Sequence, residues 1–469
     1  MMRVAVVGAG PAGVRAVEVL LEAGLRPVWI DEAAEGGGRI YQRPPAPLRR
    51  DAKALYGFEA GRATALHAAL EAATARAEWR PQTLAWHIRP AARRLFTLHR
   101  GHQGVVEYDA ALLCTGAMDR VIPVPGWTRP GVTTLGGAQI ALKAQGCGIG
   151  RRVAFLGSGP LLWLVAYQYA RAGAEVAAVL DTTPFLTKLK AAPGLLRNGP
   201  VFAKGLYYTA WLRARGVRIA EGITPLAIEG DDRSNGGGDG GGVTALRWRD
   251  AAGREDSVAC DAVGLGWGLK PEAQLADLAG IPFDFDARQH NWVPRRDAAG
   301  RTPVPGHYLA GDGAGIGGAE VAELAGARAA LALLADAGLP VEAARVAALD
   351  RALAAQARFR AALERAFPFP AALAAALPDA ALLCRCEGLT AGELRAAARA
   401  EHAPGIAPEM NRAKAFTRVG MGRCQGRVCG AAAAEILAAE LGQPVEAIGR
   451  LRGQPPVKPM PIPAVEPVA

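Results

Sequence analysis

The run V-A-V-V-G-A-G-P-A-G at residues 4–13 decides how the first half of this chain folds. Its apolar residues predict a buried strand, and the G-x-G-x-x-G that follows predicts a tight turn into a helix. Gly8 permits the turn, Gly10 lets a pyrophosphate approach the backbone, and Gly13 lets helix and strand pack closely. The run therefore predicts a dinucleotide site at a helix N-terminus, with a ligand-free glycine turn as the alternative.

Two acidic residues follow the next predicted strand, Val28–Ile30. Asp31 stands where a carboxylate commonly binds a ribose hydroxyl, and the adjacent Glu32 is the less favoured candidate. Two later segments end strands in small-residue turns: L-L-C-T-G-A at residues 112–117 and Y-L-A-G-D-G at residues 308–313. Both turns are expected to bring backbone against the same dinucleotide.

A second glycine turn departs from this pattern. Strand Val153–Leu156 leads into G-S-G-P-L-L, in which Leu162 stands where the third glycine belongs. One hypothesis is a second nucleotide, NAD or ATP, held by Gly157, Gly159 and Asp181. The favoured alternative is a retained fold whose nucleotide site is degraded or repurposed, because a bulky side chain occupies the helix–strand crossing.

Four cysteines near the C-terminus predict a metal centre: Cys384 and Cys386 form C-x-C, and Cys424 and Cys429 form C-x4-C. Four thiolates bind either an iron–sulfur cluster or zinc. The C-x-C spacing is unusual for zinc, so a [2Fe–2S] cluster is the prediction, with zinc and a disulfide as alternatives. Neighbouring glycines let backbone N–H groups approach the cluster.

Composition narrows the class of protein. The 469 residues suit two or three domains with large buried cores, since 51% are apolar and 21% charged. No export signal or membrane-length apolar run is evident, so a reducing cytoplasm is expected, with Cys114, Cys147 and Cys260 as small buried residues. The net charge of +10 suits either an arginine-rich genome or docking to an acidic partner. No basic stripe interleaved with aromatics points to nucleic acid.

The pattern of motifs predicts five regions. The boundaries are residues 1–118 with 271–340 for a split domain that carries the first dinucleotide site, 119–270 for an NAD(P)-binding-like domain, 341–378 for a helical connector, 379–450 for the cluster domain and 451–469 for a Pro-rich tail. Inside the second domain, the tract N-G-G-G-D-G-G-G (residues 235–242) predicts a hairpin tip without function.

Taken together, these segments resemble a known family. The glycine turn, the C-T-G turn and the G-D turn look like the three FAD signatures of two-dinucleotide-domain flavoproteins. With the cysteines, G-A-M-D-R-V-I-P-V-P-G-W (116–127), G-A-Q (137–139), G-M-G-R-C-Q-G-R-V-C (420–429) and R-x-x-P-P-V-K-P, the chain resembles the FAD/[2Fe–2S] subunits of opine oxidase, hydrogen cyanide synthase and D-hydroxyproline dehydrogenase. One departure is G-G-R-I-Y-Q, which places Arg39 in a loop that would alter the flavin if it faced the ring.

The resemblance implies an α/β fold with two Rossmann-like domains and a small BFD-like [2Fe–2S] domain. It implies FAD and cluster ligands as follows: Gly8, Gly10, Pro11, Ala12, Gly13, Asp31, Glu32, Gly38, Arg39, Thr115, Gly116, Gly311 and Asp312 for FAD, and Cys384, Cys386, Cys424 and Cys429 for the metal. Catalytic residues stay unknown.

The resemblance also implies partners: a second flavoprotein (β) subunit, a small ferredoxin-like subunit, a small amine substrate, and peripheral membrane contact through those partners. The expected activity is oxidation of a C–N bond in an amino acid, imino acid or opine, with electrons relayed to an external acceptor. The alternatives are an NAD(P)H-dependent reductase and a cofactor-bearing assembly subunit.

Overall fold

The computed structural model describes residues 2–231, 242–401 and 409–461. The described strands, in chain order, are β1 (Val4–Val7), β2 (Val28–Ile30), β3 (Glu78–Arg80), β4 (Thr83–Arg89), β5 (Arg94–His99), β6 (His102–Glu107), β7 (Ala110–Leu113), β8 (Ala117–Asp119), β9 (Val132–Thr134), β10 (Arg152–Ser158), β11 (Glu175–Asp181), β12 (Arg218–Glu221), β13 (Thr224–Gly230), β14 (Val243–Arg249), β15 (Glu255–Ala259), β16 (Ala262–Trp267), β17 (Leu269–Pro271), β18 (Phe283–Asp286), β19 (Asn291–Pro294), β20 (His307–Leu309), β21 (Leu382–Cys384) and β22 (Leu389–Thr390).

The described α-helices are α1 (Pro11–Glu22), α2 (Ala52–Tyr56), α3 (Ala60–Thr74), α4 (Leu135–Ala144), α5 (Pro160–Arg171), α6 (Phe185–Leu195), α7 (Gly199–Ala214), α8 (Gln274–Leu278), α9 (Ala319–Asp336), α10 (Ala343–Ala366), α11 (Ala371–Ala375), α12 (Ala391–Glu401), α13 (Met410–Thr417), α14 (Gly430–Glu440) and α15 (Val445–Ile448). Apart from Gly242, the predicted hairpin tract at 235–242 lies outside the described residues.

Two five-stranded sheets form the centre of the molecule. Their strand orders are β20-β7-β1-β2-β3 and β12-β11-β10-β16-β9, and every pairing in them is parallel. Strand β1 lies between β2 and β7, so all four of its residues are buried. This explains why the run V-A-V-V shows no polar alternation, since parallel strands are covered on both faces.

In each central sheet, the chain leaves the edge strand, β3 or β12, forms a three-stranded antiparallel sheet, and then returns to the central sheet through β7 or β16. The first insertion is β4-β5-β6, and the second is β13-β14-β15. The chain completes the first sheet only after the second unit, through β20, which pairs with β7. The two units therefore repeat one plan. We call residues 2–116 with 272–336 the first unit, and residues 120–268 the second unit.

Close packing of backbone atoms fixes the position of the first glycine turn. A Cβ atom at Gly13 would lie 1.9 Å from the Gly8 carbonyl oxygen, and one at Gly326 of α9 would lie 2.0 Å from the Ala12 carbonyl oxygen. Helix α1 is thus pressed between β1 and α9 at contacts that tolerate only glycine. Such contacts fix the α1 N-terminus at the end of the sheet.

A two-stranded ribbon joins the two units, with β8 antiparallel to β17 and Met118 opposite Lys270. Next to the ribbon, the buried Arg120 donates to the carbonyl oxygens of Gln289 and His290 at 2.9 and 3.0 Å. Its guanidinium also lies 4.3 Å from the ring centroid of Phe369, which follows α10. Arg120 therefore fastens the ribbon to the first unit and to the connector.

The cluster region shares an apolar core with the second unit, and the tail packs onto the first unit. Helix α14 is buried along most of its length, and residues 451–461 form no helix or strand. In this tail, the Val457 N–H donates to the Trp86 carbonyl oxygen at 3.1 Å, and Lys458 pairs with Glu32. The predicted extended tail thus lies across the first unit.

Most sequence-predicted elements differ from the observed ones only at their ends. The strand expected at Val153–Leu156 is observed as β10, from Arg152 to Ser158. The prediction that Cys147 is buried was wrong: its thiol is exposed, because it lies in the turn after α4 and not within a strand. Among the described helices, none has the length and apolar character needed to cross a bilayer.

Candidate functional site

The three predicted nucleotide-binding segments meet at the carboxyl ends of β1, β7 and β20. The Ala310 N–H donates to the Leu113 carbonyl oxygen at 3.1 Å, which joins the G-D turn to the C-T-G turn. The Thr115 hydroxyl donates to the Glu272 carbonyl oxygen at 2.5 Å. A Cβ atom at Gly313 would lie 2.6 Å from the Thr115 hydroxyl oxygen, so the turns touch where side chains are absent.

A cradle without side chains surrounds the N-terminus of α1. A Cβ atom at Gly38 would lie 2.9 Å from Gly10 Cα, and one at Gly311 would lie 2.8 Å from Ala12 Cβ. Helix α1 begins at Pro11, and neither a side-chain cap nor an acidic residue serves its first turn. Its first amide groups are therefore available to an anion, as a pyrophosphate requires.

Asp31 is anchored to the glycine turn. Its Oδ2 accepts from the Ala9 N–H at 2.5 Å, and its Oδ1 accepts from the Ala33 N–H at 2.7 Å. Burial raises the pKa of Asp31, and the two amide donors oppose that shift. The carboxylate thus lies at the predicted end of β2, directly beside the nucleotide turn.

Glu32 and Arg39 form a more exposed group beside it. Arg39 Nη2 lies 3.3 Å from Glu32 Oε1, and Lys458 contacts the other carboxylate oxygen. Burial alone would raise the pKa of Glu32, but Lys458 and Arg39 lower it below its ordinary value. Arg39 therefore faces the acids after β2, next to the cradle formed by Gly38.

Asp312 organises the turn before α9. Its Oδ1 accepts from the N–H groups of Gly317 and Gly318 at 2.8 and 2.9 Å. Two arginines that the sequence analysis did not single out lie nearby. Arg296 Nε donates to the Ala314 carbonyl oxygen at 3.3 Å, and burial lowers the pKa of Arg360, with Glu364 and Asp312 opposing the shift.

Arg360 lies on α10, the predicted connector, and within the described residues its Nε is buried without a hydrogen-bond partner. A buried polar atom without a hydrogen bond calls for an explanation, because the missing hydrogen bond costs free energy of folding. A bound anionic group near Asp312 would satisfy it. No sequence signal marked Arg360, because only the tertiary fold brings α10 to the G-D turn.

Asp181, the acid at the second glycine turn, has a different environment from Asp31. Asp181 is fully buried, where its carboxylate accepts from the Thr183 N–H at 2.8 Å and from Lys188 Nζ at 2.9 Å. Burial raises the pKa of Asp181, and Lys188 opposes that shift. Leu162 is also fully buried in the core behind the turn. The acid therefore already has an internal cation as its partner.

The four predicted cysteine ligands are brought together in a chain of contacts. The Cys384 thiol contacts the Cys429 thiol, which contacts Cys424, which contacts Cys386. These thiol contacts, with backbone N–H donors, lower the pKa of Cys384 to about 6 and that of Cys424 to about 5.

The arrangement of the thiols bears on the identity of the metal centre. In the described part of the chain, no set of three or more His, Cys, Asp or Glu side chains meets the geometry of a single-ion site. A cluster of two irons spans more space than one zinc ion, and it too takes four cysteines. Either group takes four thiolates, and the contacts among these four bring them together as such a ligand set requires.

Glycines shape the loop that carries two of these thiols. Gly420 and Gly426 have φ angles of +76° and +77°, a region that glycine adopts readily. Their N–H groups donate to Cys384 and Cys424 respectively. A Cβ atom at Gly422 would lie 2.2 Å from Cys386 Cβ. The loop can therefore close around the thiols only with glycine at these positions.

The thiols differ in exposure. Cys384 and Cys429 are buried, Cys424 is half-buried and Cys386 is exposed. On the buried side lies a cavity of about 160 Å³ between the ribbon, the β18–β19 hairpin and α14, lined by residues that include Met118, Lys270, Asn291, Phe369 and Arg427. Burial lowers the pKa of Lys270 to about 8, and the Cys429 and Glu272 side chains oppose that shift.

Comparisons with known proteins agree with this architecture. A family model described as pyridine nucleotide-disulphide oxidoreductase matches residues 2–331, and one described as a BFD-like [2Fe-2S] binding domain matches residues 382–439. One opine oxidase subunit, from Rhizobium meliloti, is 34% identical over 97% of this chain and 85% of its own length. Hydrogen cyanide synthase subunit HcnB from Pseudomonas protegens is 30% identical over 98% of this chain and 97% of its own length.

A solved structure matches nearly the whole chain. L-Proline dehydrogenase from P. horikoshii superposes with a TM-score of 0.70, covering 98% of this chain and 78% of that one. The two sequences are 18% identical, so this likeness shows the shared fold alone.

Proposed function

Because the chain belongs to the pyridine nucleotide-disulphide oxidoreductase family, together with subunits of opine oxidase and hydrogen cyanide synthase, we propose that it is the electron-relay subunit of a heteromeric dehydrogenase. It is a flavin-dependent oxidoreductase whose cofactors are FAD and a [2Fe–2S] cluster. The proposed reaction oxidises a C–N bond of an amino acid, imino acid or opine, and the electrons pass to an external acceptor.

The observation that carries this proposal is the placement of the four thiols. Cys384 and Cys429 are buried, and Cys386 lies at the surface. When bound, FAD supplies two-electron oxidation of a carbon next to nitrogen, and the cluster supplies one-electron transfer. A centre with one buried edge and one exposed edge suits a relay from the flavin to an outside acceptor.

The residues proposed to hold FAD are those whose geometry leaves room for it. Gly8, Gly10, Gly13, Gly38 and Gly311 form the cradle with Pro11 and Ala12, and Asp31 or Glu32 would bind the ribose. Thr115, Gly116 and Asp312 would contact the flavin half, and Arg39 would lie beside the ribose. We add Arg360, whose buried Nε lies near Asp312, and Arg296, which donates to the Ala314 carbonyl oxygen of the same turn.

We propose that the second glycine turn, with Gly157 and Gly159, is a retained fold element without a nucleotide. The support is the Asp181–Lys188 ion pair at 2.9 Å, because an acid that is fully buried with its own cation is not free to bind ribose hydroxyls. An NADH-dependent reductase, one form of the alternative function, would need such an acid to bind the ribose.

The proposed partners are a second flavoprotein (β) subunit together with a small ferredoxin-like subunit. The relatives that match over nearly the whole chain are named as subunits of larger enzymes, so this chain works with partner subunits. The four thiolate ligands favour a reducing compartment, which we propose is the cytoplasm.

The proposal is tested on the native complex, purified anaerobically from its source. Amines, amino acids and opines are added one at a time, and the loss of oxidised-flavin absorbance is followed, with NADH and NADPH in parallel. Bleaching by an amine but not by NADH or NADPH is the expected result. Rapid bleaching by a nicotinamide nucleotide would support the reductase instead, and no bleaching by any of them would point to an assembly subunit.

A further inference from the structure

Helices α6 and α7 of the second unit have an apolar composition that the fold leaves uncovered. Of the sixteen residues of α7, only Leu212 is buried, and α6 buries only Ala191 and Leu195. Large side chains are exposed along both helices, among them Phe185, Leu186, Leu189, Leu196, Leu206 and Tyr207. The inner side of α6 packs on α10 through Ala191 and Leu195. A helix that is apolar around its circumference normally lies in a protein interior, so the outer side of this helical pair, residues 185–214, lacks a covering surface.

The same segment carries charge of only one sign. Between Asp181 and Glu221 the sequence contains no Asp or Glu, but it contains seven Lys or Arg residues. Lys188 and Lys204 are paired with acids outside the segment. In the described part of the chain, Lys190 and Arg197 take part in no ion pair, so they leave positive charge beside the apolar surface.

The charge excludes a symmetric dimer of this chain formed through the helical pair. An isologous contact would place the segment against itself, and its uncompensated cations would then repel each other. The occupant must therefore offer acidic groups around an apolar centre.

The distribution of apolar residues favours a protein over a lipid surface. A helix that lies in a membrane interface needs one apolar face and one strongly polar face. In α7 the apolar residues occupy all sides, and its aromatic rings form a network: Phe58 and Tyr207 lie 5.4 Å apart, and Tyr167 and Trp211 lie 4.9 Å apart. Tyr and Trp anchors of this kind are enriched at protein interfaces.

We infer that the helical pair α6–α7 is the docking surface for the second subunit of the complex, and that this subunit presents an apolar patch with an acidic rim. The inference rests on the proposed function in one respect, that the chain works within a heteromeric enzyme. It goes further by naming the surface. Phe58 and Glu59 of the first unit reach α7 through Tyr207 and Lys204, so a docked subunit would touch both units.

The test uses the complex purified from its source through a tag on this chain. In the double variant Leu186→Glu/Leu189→Glu, the flavin-carrying second chain should fall about tenfold or more relative to this chain. The matched control is Val105→Glu, an exposed apolar residue on β6 of the first unit, and it should retain the second chain. FAD content and Tm of this chain should be unchanged in both variants.

A milder variant and a cross-link guard against a folding artefact. Lys190→Glu/Arg197→Glu should weaken the association and reduce its salt dependence, because it removes the attraction to the acidic rim. In the wild-type complex, a zero-length carbodiimide should join Lys190 to a carboxylate of the second chain.

Three results would overturn the inference. The first is retention of the second chain at the wild-type ratio in Leu186→Glu/Leu189→Glu. The second is a change in self-association of the isolated chain in place of loss of the second chain. The third is binding of the isolated chain to phosphatidylglycerol vesicles that the variant abolishes. Amine-dependent flavin bleaching of the wild-type complex tests the proposed function separately, so the two failures are distinguishable.

Discussion

The guanidinium of Arg427 binds both carboxylate oxygens of Glu272, with Nε–Oε2 at 2.7 Å and Nη2–Oε1 at 3.0 Å. Arg427 lies between two cluster cysteines, and Glu272 directly follows β17 of the ribbon. Both side chains are largely buried. This bidentate pair therefore holds the cluster loop against the first unit, and the separation between the two cofactors depends on it.

Replacing Arg427 with Gln should loosen that attachment. The change leaves Glu272 largely buried without its cation, which we expect to cost on the order of 3 kcal/mol of stability. Tm should fall, and acceptor reduction should slow while the EPR signal of the cluster persists. Arg418→Gln is the control, because its ion pair with Glu387 is more exposed; equal effects of the two changes would contradict the special role of Arg427.

Cys424→Ser should remove the cluster, because one of the four thiolates that hold it is lost. The EPR signal and acceptor reduction should fall to background, whereas FAD content should remain. Cys147→Ser changes an exposed thiol outside the cluster and should preserve both readouts. Undiminished acceptor reduction in a cluster-free Cys424→Ser protein would refute the relay.

Gly13→Ala should abolish FAD binding, because the added Cβ would lie 1.9 Å from the Gly8 carbonyl oxygen and displace α1. The measurement is the FAD-to-protein ratio after gel filtration. Gly61→Ala is the matched control in α3, where the added Cβ meets no atom within 4 Å. It should stabilise the protein by about 0.5–1 kcal/mol with FAD retained. FAD bound normally by Gly13→Ala would contradict the assigned cradle.

Lys143→Met should stabilise the protein most at neutral pH. Burial lowers the pKa of Lys143 from 10.5 to about 8, so the unfolded chain binds the proton more tightly than the folded chain. The free energy of unfolding of the wild type should therefore rise between pH 8 and 10.5. Below pH 8 the charged, buried lysine opposes folding, and its removal should gain on the order of 3 kcal/mol.

The measurement is Tm of both proteins from pH 7 to 10, where the gap should narrow as pH rises. Lys53→Met, at an exposed lysine, should change the free energy of unfolding by less than about 0.5 kcal/mol at every pH. A gap that stays constant from pH 7 to 10 would argue against the low pKa of Lys143.

Local signals in the sequence were enough to predict the glycine turns and the cysteine set. A turn such as Gly8–Gly13 joins one strand to the helix that follows it. The spacing of its glycines is therefore enough to predict the geometry of the turn. The cluster ligands follow the same logic, because Gly420 and Gly426 shape the loop that carries Cys424. Each of these predictions depended on short motifs, and the residues within one motif lie close together in the chain.

Features that depend on packing between distant segments escaped the sequence analysis. Asp181 pairs with Lys188, which reaches it only because α6 folds back over the end of β11. Arg360 reaches the G-D turn because of where α10 crosses the first unit. Nothing in the spacing of these residues specifies the crossing of the helices, so the pattern alone could not reveal their partners.

The interrupted first unit has a consequence for how the protein is made. Strand β20 and helix α9, which complete that unit, leave the ribosome only after β9–β16 of the second unit have been synthesised. The edge of β7 therefore stays open while the second unit closes, and open strand edges invite mispairing. FAD can therefore bind only late in synthesis, and the contact of Lys458 with Glu32 forms last. A nascent chain that stalls before residue 309 would have no completed flavin site.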